Sequence, residues 1–332
     1  MAPSPPGGLS GPLLLRDDEV HVWWIDLNPQ PSLSDAGGAL CPEERARAAR
    51  FVFPRDRRRY AVSHWALRSI LARYLSTEAS AVPLTQPPAK PRLGVPSDLR
   101  FNLSHSGERA VVGVARGREL GIDLEQHRDL DDLEGLAERC FAPSELASWR
   151  TLSGAARTAA FFTTWTRKEA YLKALGDGLA RPLASFDVTV GGDEGPRLVR
   201  DAEDPFAPAR WTFFDLDAGP GYAATLAVAG APARLVAFTL TPEEEHGSRG
   251  AGGGRTAHGR GEPGAAVLAL AGGQAGAEGL ERRGPDRLAG RVPGPHKGGV
   301  DRHGAGEPAR VDEEAARGAD DRSFLIEAGG WS

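Results

Sequence analysis

The composition of the chain changes near residue 240, and this change limits which part of it can fold. Residues 241–332 hold 22 of the 42 glycines, but only Phe324 and Trp331 of the 23 aromatic residues. They show no sustained apolar period, so they would bury too little apolar surface to offset the entropy lost on ordering. We therefore predict a folded part that ends near residue 241 and a disordered tail over residues 242–332.

Charge and hydropathy exclude several classes of protein. No apolar run approaches the ~18–20 residues that span a bilayer, and the N-terminal residues lack the basic segment of a signal peptide. Residues 1–240 carry 28 Lys and Arg against 30 Asp and Glu, which argues against a general nucleic-acid binder. Cys41 and Cys140 form no CxxC pair, so neither a disulfide framework nor a zinc site is predicted. We expect a cytoplasmic monomer with no membrane or nucleic-acid partner.

Helical and strand-like segments alternate after a loose leader, residues 1–16. Strands are predicted near residues 20–27, 100–103, 110–115, 120–125, 186–190, 211–216, 222–229 and 234–240. Helices are predicted from Pro42 and near residues 56–75, 131–139, 143–151 and 156–175. The strands at 110–115 and 120–125 are predicted to pair as a hairpin around Arg116-Gly117-Arg118. This mixture of elements predicts an α+β (mixed α/β) class.

Two carboxylates lie two residues apart in the segment Gly121-Ile122-Asp123-Leu124-Glu125. In a strand, Ile122 and Leu124 face one side, and Asp123 and Glu125 face the other, roughly 7 Å apart. Neighbouring carboxylates repel each other unless they are solvated or hold a cation. A cation site and a solvated polar face are both compatible with this segment.

A second pair of charges lies on a predicted helix with the sequence FFTTWTRKEAYLKALG. Glu169 lies on the same stripe as Phe162 and Trp165, and Lys173 follows it one turn later. A charge on an apolar stripe is costly to bury unless it is paired or bound to a metal. Glu169 and Lys173 are therefore expected to face a cleft. The simpler alternative is a solvated pair on the surface of the helix.

The segment Asn102-Leu103-Ser104-His105-Ser106-Gly107 supplies hydroxyl and imidazole groups, which we expect to lie in a turn. Such donors suit an oxyanion or a phosphate, and a capped turn without a ligand is the simpler alternative. A serine hydrolase is disfavoured because the chain has no GxSxG motif. Ser104 and His105 are also adjacent, which does not match the spacing of a nucleophile and its base.

Taken together and in this order, FNLSHS, GIDLE and WTRKEAYLKALG resemble the three signature blocks of the Sfp-type 4′-phosphopantetheinyl transferase family. The resemblance covers about residues 20–240 and includes PEERARAARF near the start and GYAATLAV near the end. It implies a pseudo-dimer of two similar α/β subdomains, residues 17–118 and 119–241. The active site of such a fold lies in the cleft between them.

The resemblance also implies an enzyme, a holo-carrier-protein synthase. Such an enzyme transfers the 4′-phosphopantetheine arm of coenzyme A to a serine of an acyl or peptidyl carrier protein, releases 3′,5′-ADP and uses Mg²⁺. By this resemblance Asp123, Glu125 and Glu169 hold the Mg²⁺, and three carboxylates do make a hard oxygen site. Glu169 is the expected general base, and Lys173 is expected to stabilise or protonate the leaving phosphate.

Other residues are expected, by the same resemblance, to contact coenzyme A. Ser104 and His105 meet its phosphates, Lys168 lies beside the pyrophosphate, and Lys90 lies in the nucleotide-binding segment. The chain has four Lys against 36 Arg, and three of the four lie at basic positions of the family pattern, namely Lys90, Lys168 and Lys173.

Arg47 and Arg59 are expected to meet the 3′-phosphate of the nucleotide. They lie in residues 43–73, where nine Arg stand against three acidic residues. The chain departs from the family pattern at Glu44, where relatives often carry a basic residue, and at Ala89, where glycine is common. A non-catalytic module that binds coenzyme A or a nucleotide is the alternative function, but it leaves the three carboxylates unexplained.

Overall fold

The computed structural model describes residues 13–28, 38–85, 90–176, 181–191 and 195–240, together with the backbone of residues 266–267. All of these belong to one compact unit, Met1–Leu268 with Arg322–Ser332, and a second unit, Ala269–Asp321, lies outside the described residues. The predicted leader lies outside them except for residues 13–16, and the predicted tail lies outside them except for residues 266–267.

Helices and strands mix along the chain, and the predicted α+β class is confirmed. The helices are α1 (Pro42–Arg50), α2 (Pro54–Leu75), α3 (Leu133–Cys140), α4 (Pro143–Arg150), α5 (Gly154–Leu175) and α6 (Ala207–Arg210). The strands are β1 (Glu19–Asp26), β2 (Leu99–Ser106), β3 (Arg109–Arg116), β4 (Leu120–Gln126), β5 (Phe186–Val188), β6 (Leu198–Asp201), β7 (Trp211–Asp215), β8 (Tyr222–Ala229), β9 (Arg234–Leu240) and β10 (Ala266–Val267). The long helix α5 ends at Gly176, whose φ of 83° is the left-handed conformation that glycine adopts without strain.

A first sheet has the strand order β10-β9-β1-β3-β2. Strand β1 pairs antiparallel with β3 and parallel with β9. Strand β1 is buried on both faces over most of its length, and Glu19 and His21 are its buried polar residues. Trp23 and Ile25 share a core with helix α2, and Val20 and Val22 face the other way, toward the second sheet.

A second sheet has the strand order β4-β8-β7, and a separate ribbon pairs β5 with β6. Ile122 and Leu124 of β4 pack with Val20 and Val22 of β1 in the core between the two sheets. Helix α5 shares a core with the second sheet, in which Phe162 is fully buried. The order of layers is therefore α2, first sheet, second sheet, α5.

The predicted hairpin between residues 110–115 and 120–125 is wrong. Strand β3 pairs with β1 and β2, and β4 pairs with β8 in the other sheet. Val111 and Ala115 of β3 share a core with the apolar residues of β4, so the two strands meet face to face rather than edge to edge. Gly117, with a φ of 64°, carries the chain from one sheet to the other.

The FNLSHS segment is a strand over its whole length, not a strand that ends in a polar turn. Ser104, His105 and Ser106 all pair with β3, and the turn follows at Gly107, whose φ is 58°. This left-handed conformation favours glycine at the turn.

The last described strand of the folded part returns to the first sheet. Residues Arg234–Leu240 pair with β1, so the predicted division into residues 17–118 and 119–241 does not follow the sheets for this segment. No helix in the described part of the chain is long and apolar enough to cross a membrane.

Candidate active site

Strands β2 and β4 meet where the two sheets adjoin, and side chains of β2 pair with the backbone of β4. Strand β4 is an edge strand of its sheet, so its outer amide groups need acceptors from elsewhere. Alternate side chains of β2 supply them. The Ile122 amide donates to Asn102 Oδ1 at 2.8 Å, the Leu124 amide to Ser104 Oγ at 3.2 Å, and the Gln126 amide to Ser106 Oγ at 3.0 Å.

Gly121 allows helix α5 to lie close against β4. A Cβ at this position would lie 2.1 Å from the Ala170 carbonyl oxygen and 2.3 Å from the Ala174 nitrogen, closer than real side chains approach. Gly121 faces the same side of the strand as Asp123 and Glu125 because side chains alternate. The close approach therefore places the C-terminal turns of α5 over the two carboxylates.

Asp123 is buried, and its two oxygen atoms have different environments. Oδ1 accepts hydrogen bonds from Lys173 Nζ at 2.6 Å and from Ser104 Oγ at 3.1 Å. Oδ2 is also buried, and no residue in the described part of the chain donates to it. A buried carboxylate oxygen without a donor is rare and costly. It indicates a position for a ligand that carries positive charge.

Ser104 supports Asp123 and Lys173. Its Oγ donates to Asp123 and accepts from the Leu124 amide and from Lys173 Nζ, the last at 3.1 Å. The residue is 0% exposed, so these three bonds use its hydrogen-bonding capacity. Ser104 was expected to contact a phosphate of coenzyme A, but its hydroxyl is bonded to protein groups instead. The position also disfavours a serine hydrolase, because Ser104 and His105 face opposite sides of the strand.

Glu125 is buried beside Asp123 and is held by two donors. Ser106 Oγ donates to its Oε2 at 3.0 Å, and Arg128 Nη1 donates to the same atom at 3.2 Å. Burial, followed by the negative charge of Asp123, raises the pKa of Glu125 to about 7 against the effect of these two donors. Each carboxylate has one cationic partner, Lys173 for Asp123 and Arg128 for Glu125, but Asp123 Oδ2 accepts no hydrogen bond from the described residues. A hard divalent cation fits this pair of oxygen donors.

Glu169 is half-buried on α5, one turn before Lys173. No cluster of three or more His, Cys, Asp or Glu with the geometry of a metal site occurs among the described residues. The structure thus brings Asp123 and Glu125 together and does not assemble a three-carboxylate cluster with Glu169. The assignment of all three to Mg²⁺ stays a prediction.

Lys168 lies in the core rather than at the surface of the site. Its Nζ is fully buried, lies 2.7 Å from Glu145 Oε2 and donates to the Phe186 carbonyl at 2.6 Å. Glu145 itself accepts from the Ala142 and Val188 amides. This pair ties α5 to α4 and β5. The structure therefore favours a structural role for Lys168, in contrast to the expected place beside a pyrophosphate.

His105 lies in a group of positively charged side chains. It faces away from Ser104 on β2, and its pKa is lowered to about 4 by burial and then by the positive charges of His64, Lys173 and Arg59. Arg59 is 19% exposed and lies 4.0 Å from Glu108. His64 and Arg59 of α2 and Lys173 of α5 therefore lie within electrostatic reach of His105, and such a group of basic side chains suits a phosphate.

Arg47 lies close to this group through an aromatic neighbour. Its guanidinium lies 5.7 Å from the centre of the Tyr60 ring, and Tyr60 stacks on His64 with ring centres 4.1 Å apart. Sequence reasoning did not single out His64, which lies in none of the three sequence blocks. The signal was the basic and aromatic spacing of Tyr60, His64 and Arg68, which share one helix face at four-residue intervals.

Lys90, Arg92 and Arg100 are among the residues that line a pocket of about 190 Å³. Lys90 Nζ donates to the Leu120 carbonyl at 2.7 Å and lies 3.5 Å from Glu119. Burial lowers the pKa of Lys90 to about 8, and Glu119 opposes this shift. Through Lys90 the pocket is linked to Leu120, the first residue of β4.

Comparisons with known proteins find matches over most of residues 28–227. Residues 119–227 match the model of the 4′-phosphopantetheinyl transferase superfamily, and residues 28–116 match the model described as 4′-phosphopantetheinyl transferase, N-terminal. The chain is 41% identical over 233 residues to the 4′-phosphopantetheinyl transferase HetI of Nostoc sp., covering 69% of this chain and 93% of that protein.

Two further similarities extend the comparison. The chain is 30% identical over 184 residues to the 4′-phosphopantetheinyl transferase Sfp of Bacillus subtilis, covering 55% of this chain and 79% of Sfp. A solved holo-(acyl-carrier-protein) synthase from Bacillus anthracis, in complex with coenzyme A (3′,5′-ADP), is 22% identical with a TM-score of 0.28, covering 34% of this chain and 96% of that one. The match to HetI is close enough and long enough to assign the family. The chain belongs to the 4′-phosphopantetheinyl transferase superfamily and is an enzyme of that family.

Proposed function

We propose that the protein transfers the 4′-phosphopantetheine arm of coenzyme A to a serine hydroxyl of an acyl or peptidyl carrier protein, with Mg²⁺ as cofactor and 3′,5′-ADP as the second product. The observation that carries this proposal is the environment of Asp123. One of its oxygens is paired with Lys173, and the other is buried without a donor. A phosphoryl-transfer site needs a cation and a phosphate-binding ammonium close together, and Asp123 is placed to hold both.

Asp123 and Glu125 are the residues that fit the metal best. Both are buried and both supply oxygen atoms, and burial together with the charge of Asp123 raises the pKa of Glu125 to about 7. Mg²⁺ prefers one or two carboxylates together with phosphate oxygens and water. Bound there, it would neutralise charge on the pyrophosphate, and we propose that Glu169 contributes the third carboxylate.

The reaction then requires two actions from helix α5. Glu169 accepts the proton of the carrier serine hydroxyl, directly or through water, as that oxygen attacks the β-phosphorus of coenzyme A. The bond from this phosphorus to the bridging oxygen breaks, and its electron pair leaves with 3′,5′-ADP. Lys173 donates a hydrogen bond to the leaving phosphate. Its ammonium has three hydrogens, of which Asp123 and Ser104 accept two.

Binding of the nucleotide is assigned to the basic groups around this centre. His105, Arg59 and Arg47 would meet phosphate, and Lys90 would meet the nucleotide at the pocket that it lines. Ser104 and Lys168 act in this proposal as supports of the site, because both are buried and fully engaged with protein groups. The arginine-rich surface of α1 and α2 would attract a carrier protein with acidic helices.

Intact-mass spectrometry of a carrier protein tests the proposal. Incubation with coenzyme A and MgCl₂ should add one phosphopantetheine to the carrier, and chromatography should find 3′,5′-ADP in equal amount. Excess EDTA should stop the reaction, and added Mg²⁺ should restore it. Glu169→Gln should abolish the mass shift, and Glu138→Gln should not, because Glu138 is exposed on α3 and pairs with Arg150.

The alternative, a module that binds coenzyme A without transfer, makes a different prediction. Calorimetry would then detect coenzyme A binding, but no member of a panel of acyl and peptidyl carrier proteins would gain mass. That combination would overturn the proposed transfer.

A further inference from the structure

Arg128 connects the buried carboxylate of Glu125 to the surface of the protein. It lies three residues after Glu125, in the segment that follows β4, and its Nη1 lies 3.2 Å from Glu125 Oε2. The side chain of Glu125 is 2% exposed, whereas that of Arg128 is 30% exposed. A guanidinium is not deprotonated in proteins, so Glu125 has a permanently charged partner that solvent can reach.

Further contacts hold the Arg128 side chain in place. Its guanidinium lies 5.8 Å from the centre of the Phe162 ring of α5, which is within the range of a cation–π contact. The ring of His127 stacks on the same phenylalanine, with ring centres 5.1 Å apart. Nη1 also donates to the Gln126 carbonyl at 3.4 Å. The guanidinium is therefore ordered at the end of β4 that carries Glu125.

The two carboxylates of β4 are each matched by one cation. Lys173 Nζ lies 2.6 Å from Asp123 Oδ1, and Arg128 is the partner of Glu125. A divalent cation that binds to Asp123 and Glu125 therefore comes close to both of these positive groups, and salt screens such a repulsion little at a buried site. A cation that arrives with pyrophosphate oxygens meets much less opposition, because the phosphate charge offsets its own.

We propose that Arg128 sets the selectivity of the metal site, because its charge opposes a bare divalent cation at Asp123 and Glu125 and admits the cation together with the pyrophosphate of the substrate. The inference rests on the proposed function, since it takes Mg²⁺ and coenzyme A as ligands of this site. Lys173 carries the same charge, but it is already assigned to the leaving phosphate. Arg128 has no part in the transfer step, so its charge can be removed without removing a group that touches the reacting atoms.

Removal of this guanidinium has two opposite consequences. Of the two donors to Glu125 Oε2, only Ser106 would remain, and a buried carboxylate that loses its cation destabilises the protein. A divalent cation can then take the place of the lost charge, so the altered protein should bind the bare metal more tightly. Coulomb's law gives about tenfold for one unit charge a few ångströms from a divalent ion, even at a dielectric constant near that of water. A residue that only supports Glu125 would lower metal binding when removed.

The experiment measures the binding of Mn²⁺ alone by electron paramagnetic resonance, with Mn²⁺ as the probe for Mg²⁺ and no nucleotide present. Arg128→Gln should lower the dissociation constant of Mn²⁺ by about tenfold, and Arg128→Lys should leave it unchanged because lysine keeps the charge. Arg116→Gln is the matched control, since Arg116 is 37% exposed and pairs with Asp98, and it should also change nothing. Asp123→Asn added to Arg128→Gln should abolish the gain, which assigns the bound metal to this site.

Two further measurements keep the test decisive. Calorimetry in EDTA should show that Arg128→Gln binds coenzyme A no more tightly than the unaltered protein, and a gain there as well as for Mn²⁺ would indicate a general opening of the site and overturn the inference. If the variant does not fold alone, Mn²⁺ should restore its circular dichroism spectrum, because the metal replaces the missing charge.

The remaining outcomes separate this inference from the proposed function. A Mn²⁺ dissociation constant that is unchanged or raised in Arg128→Gln would overturn the inference, as would an unfolded variant that Mn²⁺ does not rescue. Absence of Mn²⁺ binding by the unaltered protein even with coenzyme A present would instead overturn the metal dependence of the proposed function.

Discussion

Replacement of Gly121 by alanine tests the packing on which the whole site depends. Gly121 is not in the left-handed region of φ, so alanine is compatible with its backbone conformation, and the only obstacle is space. The added Cβ would lie 2.1 Å from the Ala170 carbonyl oxygen, 2.3 Å from the Ala174 nitrogen and 2.8 Å from the Lys173 carbonyl carbon. All three atoms belong to the backbone of α5, so a change of side-chain rotamer cannot relieve the contact.

The size of the effect follows from these distances. Atoms in favourable contact lie about 3.5–4.0 Å apart, so from a closest approach of 2.1 Å the helix must move away from β4 by more than about 1 Å. Forced overpacking of a core costs about 1–3 kcal/mol. This corresponds to a fall in Tm of roughly 2–12 °C for a protein of this size. A displacement of about 1 Å at a catalytic group costs about 100-fold in rate, and Lys173 and Glu169 move with the helix.

The assay combines thermal unfolding with the rate of carrier-protein modification for Gly121→Ala. Gly195→Ala is the matched control, because a Cβ at Gly195 meets nothing within 4 Å. We expect Gly121→Ala to lose about 100-fold in kcat and several degrees in Tm, and Gly195→Ala to lose neither. If Gly121→Ala kept both its Tm and its rate, β4 and α5 would not be packed as described, and the placement of Lys173 beside Asp123 would be refuted.

Two further predictions concern buried charges. Lys168→Met should lower the free energy of unfolding by about 3–5 kcal/mol because it leaves Glu145 buried without its partner. The double variant Lys168→Met with Glu145→Leu should recover part of the lost free energy of unfolding, as measured by urea unfolding. A double variant that is no more stable than Lys168→Met would contradict the structural role of this pair. Burial lowers the pKa of His21 and lowers the pKa of His105 to about 4. Below a pH of about 6.5 these two histidines therefore bind protons in the unfolded chain but stay neutral in the folded protein. The free energy of unfolding should therefore fall as pH decreases from 6.5 to 4.5, and His21→Gln should reduce this slope. A slope that stays the same in the variant would show that His21 is not the group responsible.

The parts of the site that lie within one element were predictable from the sequence. The alternation of apolar and acidic residues in β4 predicted that Asp123 and Glu125 share one face, because the side-chain direction of a strand depends only on position along it. The four-residue spacing of Glu169 and Lys173 placed them on one helix face for the same kind of reason. In both cases the geometry is local, and the structure reproduces the faces.

The parts that depend on pairing between distant segments were not predictable in this way. The short connection around Gly117 suggested a hairpin between β3 and β4. The two strands instead belong to different sheets, because this arrangement buries their apolar faces against each other. Lys168 was assigned to the pyrophosphate by the family resemblance. Its actual partner, Glu145, lies 23 residues earlier, and no local pattern indicates that the two are buried together.

The junction of β2 and β4 explains why two of the sequence blocks occur together. Asn102, Ser104 and Ser106 accept from the amides of three alternate residues of β4, so each block supplies the partners that the other needs. A slip of one residue in either strand would turn Leu103 and His105 toward β4, because side chains alternate at every position. It would leave the outer amides of β4 unpaired and remove Ser104 from Asp123 and Lys173. The register that closes the two sheets is therefore also the register that builds the site, and a chain with only one of these blocks would form neither.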